Sequence, residues 1–409
     1  MKVLWITNIP LPPICESVGM AVPPVGGWMY SSLKRLSACN DGYKVSVATV
    51  YSGDDFIEQD INGVTYFLLP LKGKSALKYN HDLEPLWRRV RDSISPDVVH
   101  IHGSEYPHGL AYVKACGKKS VVVSLQGVIS GIARYYTSGI SNRDIKKSLT
   151  FRDVLRRDSL IRQQDKFGER GFFEVELLKR VDHVIGRTDW DRSHALAINP
   201  SLEYHYCGET LRDEFYRHKW NYESCEPHTV FVSQAGYPIK GLHVLLEALS
   251  LVIRRYPDGK VYVAGINPIE VPWYRLSGYG KYIKRTVQRL NLSDKIIFTG
   301  SLDEKTMCAQ YLKCNVFVCC SSIENSPNSL GEAQLLGVPH IASFVGGIPE
   351  IVNYNREILY RFEEYEMLAE KFCGVFEKGP AACGAEYDRS RYDGEGNIRT
   401  LLYIYNKLS

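Results

Sequence analysis

The stretch Asn315–Ala342, NVFVCCSSIENSPNSLGEAQLLGVPHIA, passes from an apolar string through an Asn/Ser/Pro loop into a short helical pattern and then a second apolar string. Both strings are continuous rather than alternating. That pattern predicts strands buried on both faces of a parallel sheet, at Asn315–Cys319 and Pro339–Ala342, joined by a crossover helix over Leu330–Leu336. A helix beginning near Ser329 ends the loop on unpaired backbone N–H groups with partial positive charge, a seat suited to phosphate. Glu324 in the loop and Glu332 in the first turn stand eight positions apart and can accept hydrogen bonds from sugar or ribose hydroxyls. An ordinary helix start, with Glu332 complementing the helix dipole, uses the same residues and stands beside that reading.

The same unit repeats in both directions. Upstream, strands are expected at Thr229–Ser233, Lys260–Ala264 and Lys295–Thr299, with helices at Leu242–Arg255, Lys281–Leu290 and Glu304–Lys313. Earlier still, apolar runs at Lys2–Thr7, Lys44–Val50, Val64–Leu69, Asp97–His102, Ser120–Leu125 and His183–Gly186 alternate with helical patterns such as Trp28–Ala38 and Leu83–Ile94. Between the two series lies Trp220–His228, a polar stretch with Pro227 that reads as an interdomain linker. A chain of 409 residues exceeds what one core usually supports, so two doubly wound α/β domains in series are expected. Asn397–Leu408 is one more amphipathic helix, able to cap either domain.

Composition excludes several classes. Lys and Arg total 50 against 46 Asp and Glu, and a net +4 is too weak to argue for nucleic acid. Eleven cysteines without a CxxC pair, several inside strand-like runs, fit reduced packed thiols in a cytosolic protein rather than a disulfide framework or a zinc site. The opening MKVLWITNIP reads as a buried strand rather than a signal peptide, and no apolar run approaches the ~20 residues of a membrane span.

In a parallel sheet, ligands are met by the loops beyond the C-terminal strand ends. After the first strand, PVGGWMYSSL places Gly26 and Gly27 directly before a helix, where backbone amides can approach a phosphate. Gln126 follows SVVVSL. Of His100 and His102 no more than one is expected to reach a site, and a structural role is expected for them and for His108. In the second half, Lys240 and Gly241 stand at a helix entrance after the first strand, where a lysine can pair with phosphate. Gly346 and Gly347 offer another turn before a helix. Arg143–Arg170 reads as a helix with nine basic and five acidic residues and apolar positions at Ile145, Leu149, Val154, Leu155 and Ile161. It is either a solvated helix packed along that stripe or a contact for an anionic or lipid-linked partner.

Together, GGW (Gly26–Trp28), IKGLHVLLEAL (Ile239–Leu249), ENSPNSLGEAQLLGVPHIAS (Glu324–Ser343) and GGIPEIV (Gly346–Val352) resemble the GT-B glycosyltransferases of family 4, the retaining, group 1 type. The resemblance covers nearly the whole chain. It implies two Rossmann-like domains facing across a cleft: an acceptor domain, 1–220, completed by a returning C-terminal helix at about 390–409, and a nucleotide-sugar donor domain, 221–389. It implies transfer of a hexose from a nucleotide-diphosphate sugar to a glycan or lipid-linked acceptor in polysaccharide or glycoconjugate synthesis, without metal or other cofactor. It places the protein in the cytoplasm, with peripheral contact at the inner membrane face through the N-terminal domain.

Carried over residue by residue, the resemblance gives catalytic roles to Glu324, Lys240 and Gln126. It gives donor contacts to Gly26, Gly27, Gln234, Lys240, Glu324, Asn325, Ser326, Asn328, Ser329, Leu330 and Glu332. Two positions depart from the family pattern. Gln126 stands where many relatives have histidine, and Gln234 and Ala235 stand where an arginine is usual. These departures motivate the alternatives of a silent sugar-nucleotide binding protein or a GT-B epimerase or phosphorylase. A nicotinamide enzyme is disfavoured, because no GxGxxG is present.

Overall fold

A computed structural model describes residues 1–23, 26–39, 42–379 and 389–409. The chain forms two compact units: 1–132 with 167–211 and 390–409, and 133–166 with 212–389. The sequence pattern suggests one boundary at 220. Instead 133–166 leaves the N-terminal half to join the second unit, which resumes at Arg212. Trp220–His228 is not a free linker either: Trp220 donates its backbone N–H to Leu336 O and its Nε1–H to Cys314 O (2.8 and 2.7 Å). Pro24 and Val25 of the first glycine loop, and 380–388 before the C-terminal helix, lie outside the described residues.

The first unit is built on an eight-stranded sheet in the order β3-β4-β2-β1-β5-β6-β7-β8. Its strands are β1 (Lys2–Thr7), β2 (Lys44–Tyr51), β3 (Ile57–Ile61), β4 (Val64–Pro70), β5 (Val98–His102), β6 (Val121–Ser124), β7 (His183–Gly186) and β8 (Glu203–Tyr206). All pairings are parallel except β3 with β4. The central strand β1, KVLWIT, is buried from its second residue onward, as its unbroken apolar string requires. β3, IEQDI, and β8, EYHY, carry too many polar residues to be read as strands, and both occupy sheet edges where one side stays open. The C-terminal helix, Gly394–Leu408, belongs to this unit. Its Tyr405 hydroxyl accepts from Trp5 Nε1 (2.9 Å) and bonds His100 Nδ1 (2.6 Å), so a residue near the C-terminus completes the core around the first strand.

The second unit carries a six-stranded parallel sheet in the order β11-β10-β9-β12-β13-β14. These strands are β9 (Thr229–Val232), β10 (Lys260–Val263), β11 (Ile296–Phe298), β12 (Val316–Cys319), β13 (His340–Ser343) and β14 (Leu359–Tyr360). The chain runs outward from β9 to β10 and β11, then returns to β12 on the other side of β9. Loops leaving adjacent strands therefore diverge at the β9/β12 boundary, the topological switch point where open α/β sheets bind ligands. No helix of the described residues is long and apolar enough to cross a membrane.

Candidate functional site

The β9 and β12 loops meet at that boundary. After β9 the chain turns through Pro238–Lys240 into Gly241, which caps the helix Leu242–Val252. Gly241 has φ +72°, and a Cβ there would lie 1.7 Å from Cys320 O, so this crossing of two backbones requires glycine. Ser322 N–H donates to Ile239 O (2.7 Å), fastening the loops together. Lys240 is thereby held against the β12 loop, with Nζ 2.6 Å from Glu324 Oε1, while Ser321 Oγ–H donates to the same oxygen (2.7 Å). Burial opposes the Lys240 charge, but Glu324 outweighs it and raises the ammonium above its ordinary value. The lysine therefore stays cationic throughout the working pH range.

Glu324 is fixed from behind as well. Its carbonyl accepts from Gly347 N–H (3.0 Å), and Gly346, at φ +53°, lies so close that a Cβ would come within 1.9 Å of that oxygen. Of the two turn residues Gly346 and Gly347, the Gly347 amide is thus spent on Glu324.

Pro327 precedes the helix Asn328–Leu336 and offers no side-chain cap. Asn328 and Ser329 open the helix, but the Leu330 amide already donates to Pro327 O (3.0 Å). Asn325 is buried and Ser326 half-buried in the loop, whereas Gln234 is exposed after β9. Glu332 turns inward and is only 4% exposed. Burial pushes its carboxyl above the ordinary value, and Arg212, donating from Nε at 2.7 Å, offsets part of that rise. Arg212 itself stands 4.7 Å over the Phe215 ring. Nothing in the sequence around Arg212 marks it: it follows β8 at the point where the chain enters the second unit, 120 positions before its partner.

Gly26, Gly27 and Gln126 lie in the first unit. Gly26 has φ +80° and forms the N-cap of the helix Gly27–Ala38, so its conformation favours glycine. Gln126 is half-buried after β6. The loop that follows it is organised by Glu174, a buried carboxylate accepting from Ile129 N–H, Ser130 N–H, Ser130 Oγ–H and Ser104 Oγ–H at 2.6–3.0 Å. His100 and His102 share one face, rings stacked at 3.8 Å, because residues two apart on a strand point the same way. The strand period therefore gives no ground for expecting only one of them at a site, and both are buried. Burial, reinforced by Arg187, holds His100 down to about 3, and burial does the same for His108. Both are neutral structural groups.

Glu105, just beyond β5, is a carboxylate that no sequence motif singles out. It accepts from Asn8 Nδ2 (3.1 Å), and burial, helped by the nearby Glu174 charge and opposed by Arg170, pushes it up to about 7 from an ordinary 4.5. A raised folded-state value means the native protein holds a proton that the unfolded chain releases. That contribution is complete below about 4.5 and is lost as pH rises through about 7. Glu105→Gln is therefore expected to match wild type near pH 4.5 and to be more stable by roughly 1–2 kcal/mol at pH 8, read from urea unfolding at both values. Equal stability differences at the two pH values would refute the assignment.

Among the described residues His183, Glu203 and His205 form a cluster with metal-ligand chemistry. They sit on β7 and β8, where Glu203 also pairs with Lys407. No residue of the β9/β12 site belongs to that cluster.

Residues 226–378 match the family described as "Glycosyl transferases group 1". Spore coat protein SA of Bacillus subtilis is 28% identical over 138 residues, 32% of this chain and 35% of that protein. A subunit of human phosphatidylinositol N-acetylglucosaminyltransferase is 23% identical over 360 residues, 85% of this chain and 65% of that protein. The chain thus spans about a third and about two-thirds of these relatives. Sucrose-phosphate synthase from Thermosynechococcus elongatus superposes with a TM-score of 0.66 at 16% identity, covering 100% of this chain and 96% of that one. At such identity the likeness establishes the fold, which is GT-B.

Proposed function

We propose that this protein transfers a hexose from a nucleotide-diphosphate sugar to a glycan or lipid-linked acceptor, retaining the anomeric configuration, a reading supported by the similarity of residues 226–378 to the group 1 glycosyl transferases and by the GT-B fold. The observation that carries this reading is the Lys240–Glu324 pair at the switch point of the donor-domain sheet. The acceptor class is supported by the human relative, whose name describes sugar transfer to phosphatidylinositol.

Donor binding exchanges partners. The diphosphate takes the Lys240 ammonium, and sugar hydroxyls donate to the Glu324 carboxylate it releases. Glu332, fixed by Arg212, accepts from ribose, with the amides opening the helix Asn328–Leu336 beside the phosphates. The acceptor hydroxyl attacks the anomeric carbon on the face the diphosphate leaves, and its proton passes to a departing phosphate oxygen. No protein nucleophile is required; the protein's task is to stabilise charge building on the leaving group. The chemistry is metal-independent, so EDTA leaves turnover unchanged.

The test is a thermal-shift screen over nucleoside diphosphates and their sugars, followed by measurement of diphosphate release with acceptors. A ligand at 100 times its Kd stabilises the fold by about 2.7 kcal/mol. Failure of all nucleotides to shift the melting temperature would reject the donor reading. A second reading, a silent sugar-nucleotide binding protein, is favoured by the absence of arginine at Gln234 and Ala235 and by the neutralisation of Lys240 by Glu324. It is the reading left standing if binding occurs without turnover across an acceptor panel.

A further inference from the structure

The basic stretch expected to form one helix packed along an apolar stripe is instead three helical pieces: Asn142–Lys147, Phe151–Arg156 and the start of Leu160–Leu178. The middle piece is inside out. Phe151, Val154 and Leu155, at helical positions i, i+3 and i+4, form its outer face and are 57%, 64% and 72% exposed. Its inward residue is Asp153, which closes a capping box with Thr150 and accepts from Gly278 N–H at the start of a neighbouring helix (3.3 Å). Thus the acid holds the helix in place and the apolar residues face solvent.

The apolar face continues beyond this helix. Leu149 is exposed beside it, and the Phe151 ring lies 5.6 Å from that of Trp273, which is 70% exposed and adjoins exposed Tyr274. Lys146, Lys147, Arg156 and Arg157 are exposed around it. Of the acids on these segments, Asp153 is buried and Asp158 pairs with Arg152 and Lys166, while Glu270, three residues before Trp273, is exposed. What faces outward is apolar and aromatic at the centre and cationic at the rim.

We propose that this face of the second unit docks on an anionic phospholipid surface. Phe151, Val154, Leu155 and Trp273 enter the boundary between headgroups and acyl chains, and the four cations meet lipid phosphates. Aromatic and aliphatic side chains on a short helix with basic flanks suit that boundary, where Trp and Tyr are favoured. A second copy of the chain would set the same cations against each other. The sequence resemblance places membrane contact on the N-terminal domain; here the surface belongs to the unit carrying Lys240 and Glu324. The inference stands apart from the transferase reading, because vesicle binding and nucleotide binding are read separately.

The test is co-sedimentation of the full chain with vesicles of phosphatidylcholine alone and of phosphatidylcholine with phosphatidylglycerol. Wild type is expected to pellet with the anionic vesicles only. Val154→Ser combined with Leu155→Ser, both exposed and so expected to fold, lowers the partition at least about tenfold. Arg156→Ala with Arg157→Ala lowers it roughly 30-fold, at about fivefold per charge. Both variants keep the wild-type melting temperature and its nucleotide-induced shift. Wild type remaining in the supernatant with anionic vesicles, or either variant pelleting like wild type, overturns the proposal. So does a wild-type dimer in solution that the serine variant abolishes, which assigns the face to self-association.

Discussion

Lys240→Ala is expected to lower kcat by about 10²- to 10³-fold and to weaken nucleotide-sugar binding, because a preorganised cation aimed at the leaving group acts where charge develops. The site is built to keep that charge in place. Gly241 permits the backbone crossing that brings Lys240 to the β12 loop, and Glu324 holds it charged at 2.6 Å. In the absence of donor the variant leaves the Glu324 carboxylate with the Ser321 hydroxyl but no cation, so some loss of stability accompanies the loss of rate. Lys240→Ala with Glu324→Gln separates the two effects: stability recovers because the orphaned charge is gone, while turnover does not. Lys240→Arg restores the charge but not the point geometry, and partial recovery of rate is expected. Wild-type turnover in Lys240→Ala would remove this residue from the mechanism.

Arg212→Ala is expected to cost about 3–5 kcal/mol of stability, because it strands the Glu332 carboxylate in a buried site. The melting temperature is the readout, together with affinity for the nucleoside diphosphate. Arg212→Ala with Glu332→Gln regains most of the stability, since no buried charge is left alone. It does not regain affinity, because Gln is a weaker acceptor for ribose hydroxyls and the oriented carboxylate is lost. Glu332→Ala alone weakens donor binding for the same reason. If Arg212→Ala melted like wild type, the 2.7 Å contact would be energetically idle and the ribose assignment would lose its support.

Much of the fold is legible in the sequence because its signals are local. A continuous apolar run such as VFVC or KVLWIT cannot sit on a half-exposed sheet, so both read as buried strands and are. β3 and β8 escape because edge strands tolerate the polar residues of IEQDI and EYHY. At the site, Lys240, Glu324 and Glu332 stand out by their placement after strands and at helix starts. Arg212 does not, because its partner lies 120 positions away and it sits in no patterned segment. The pattern of Arg143–Arg170 is read as one helix that is either packed along its apolar stripe or a partner contact; it folds as three pieces in which Ile145 packs on the core while Leu149, Val154, Leu155 and Ile161 are exposed, since spacing does not say which face is covered.

By itself, then, the sequence determined the buried strands of two α/β series and the loops that carry the candidate donor residues, because backbone period and burial on two faces are written in neighbouring side chains. Tertiary structure alone decided that Lys240 neutralises Glu324, that Arg212 answers Glu332, that residues 133–166 join the second unit, and that Phe151, Val154 and Leu155 face outward. Charge pairing and exposure depend on what packs against a residue from far along the chain, and no local pattern encodes that.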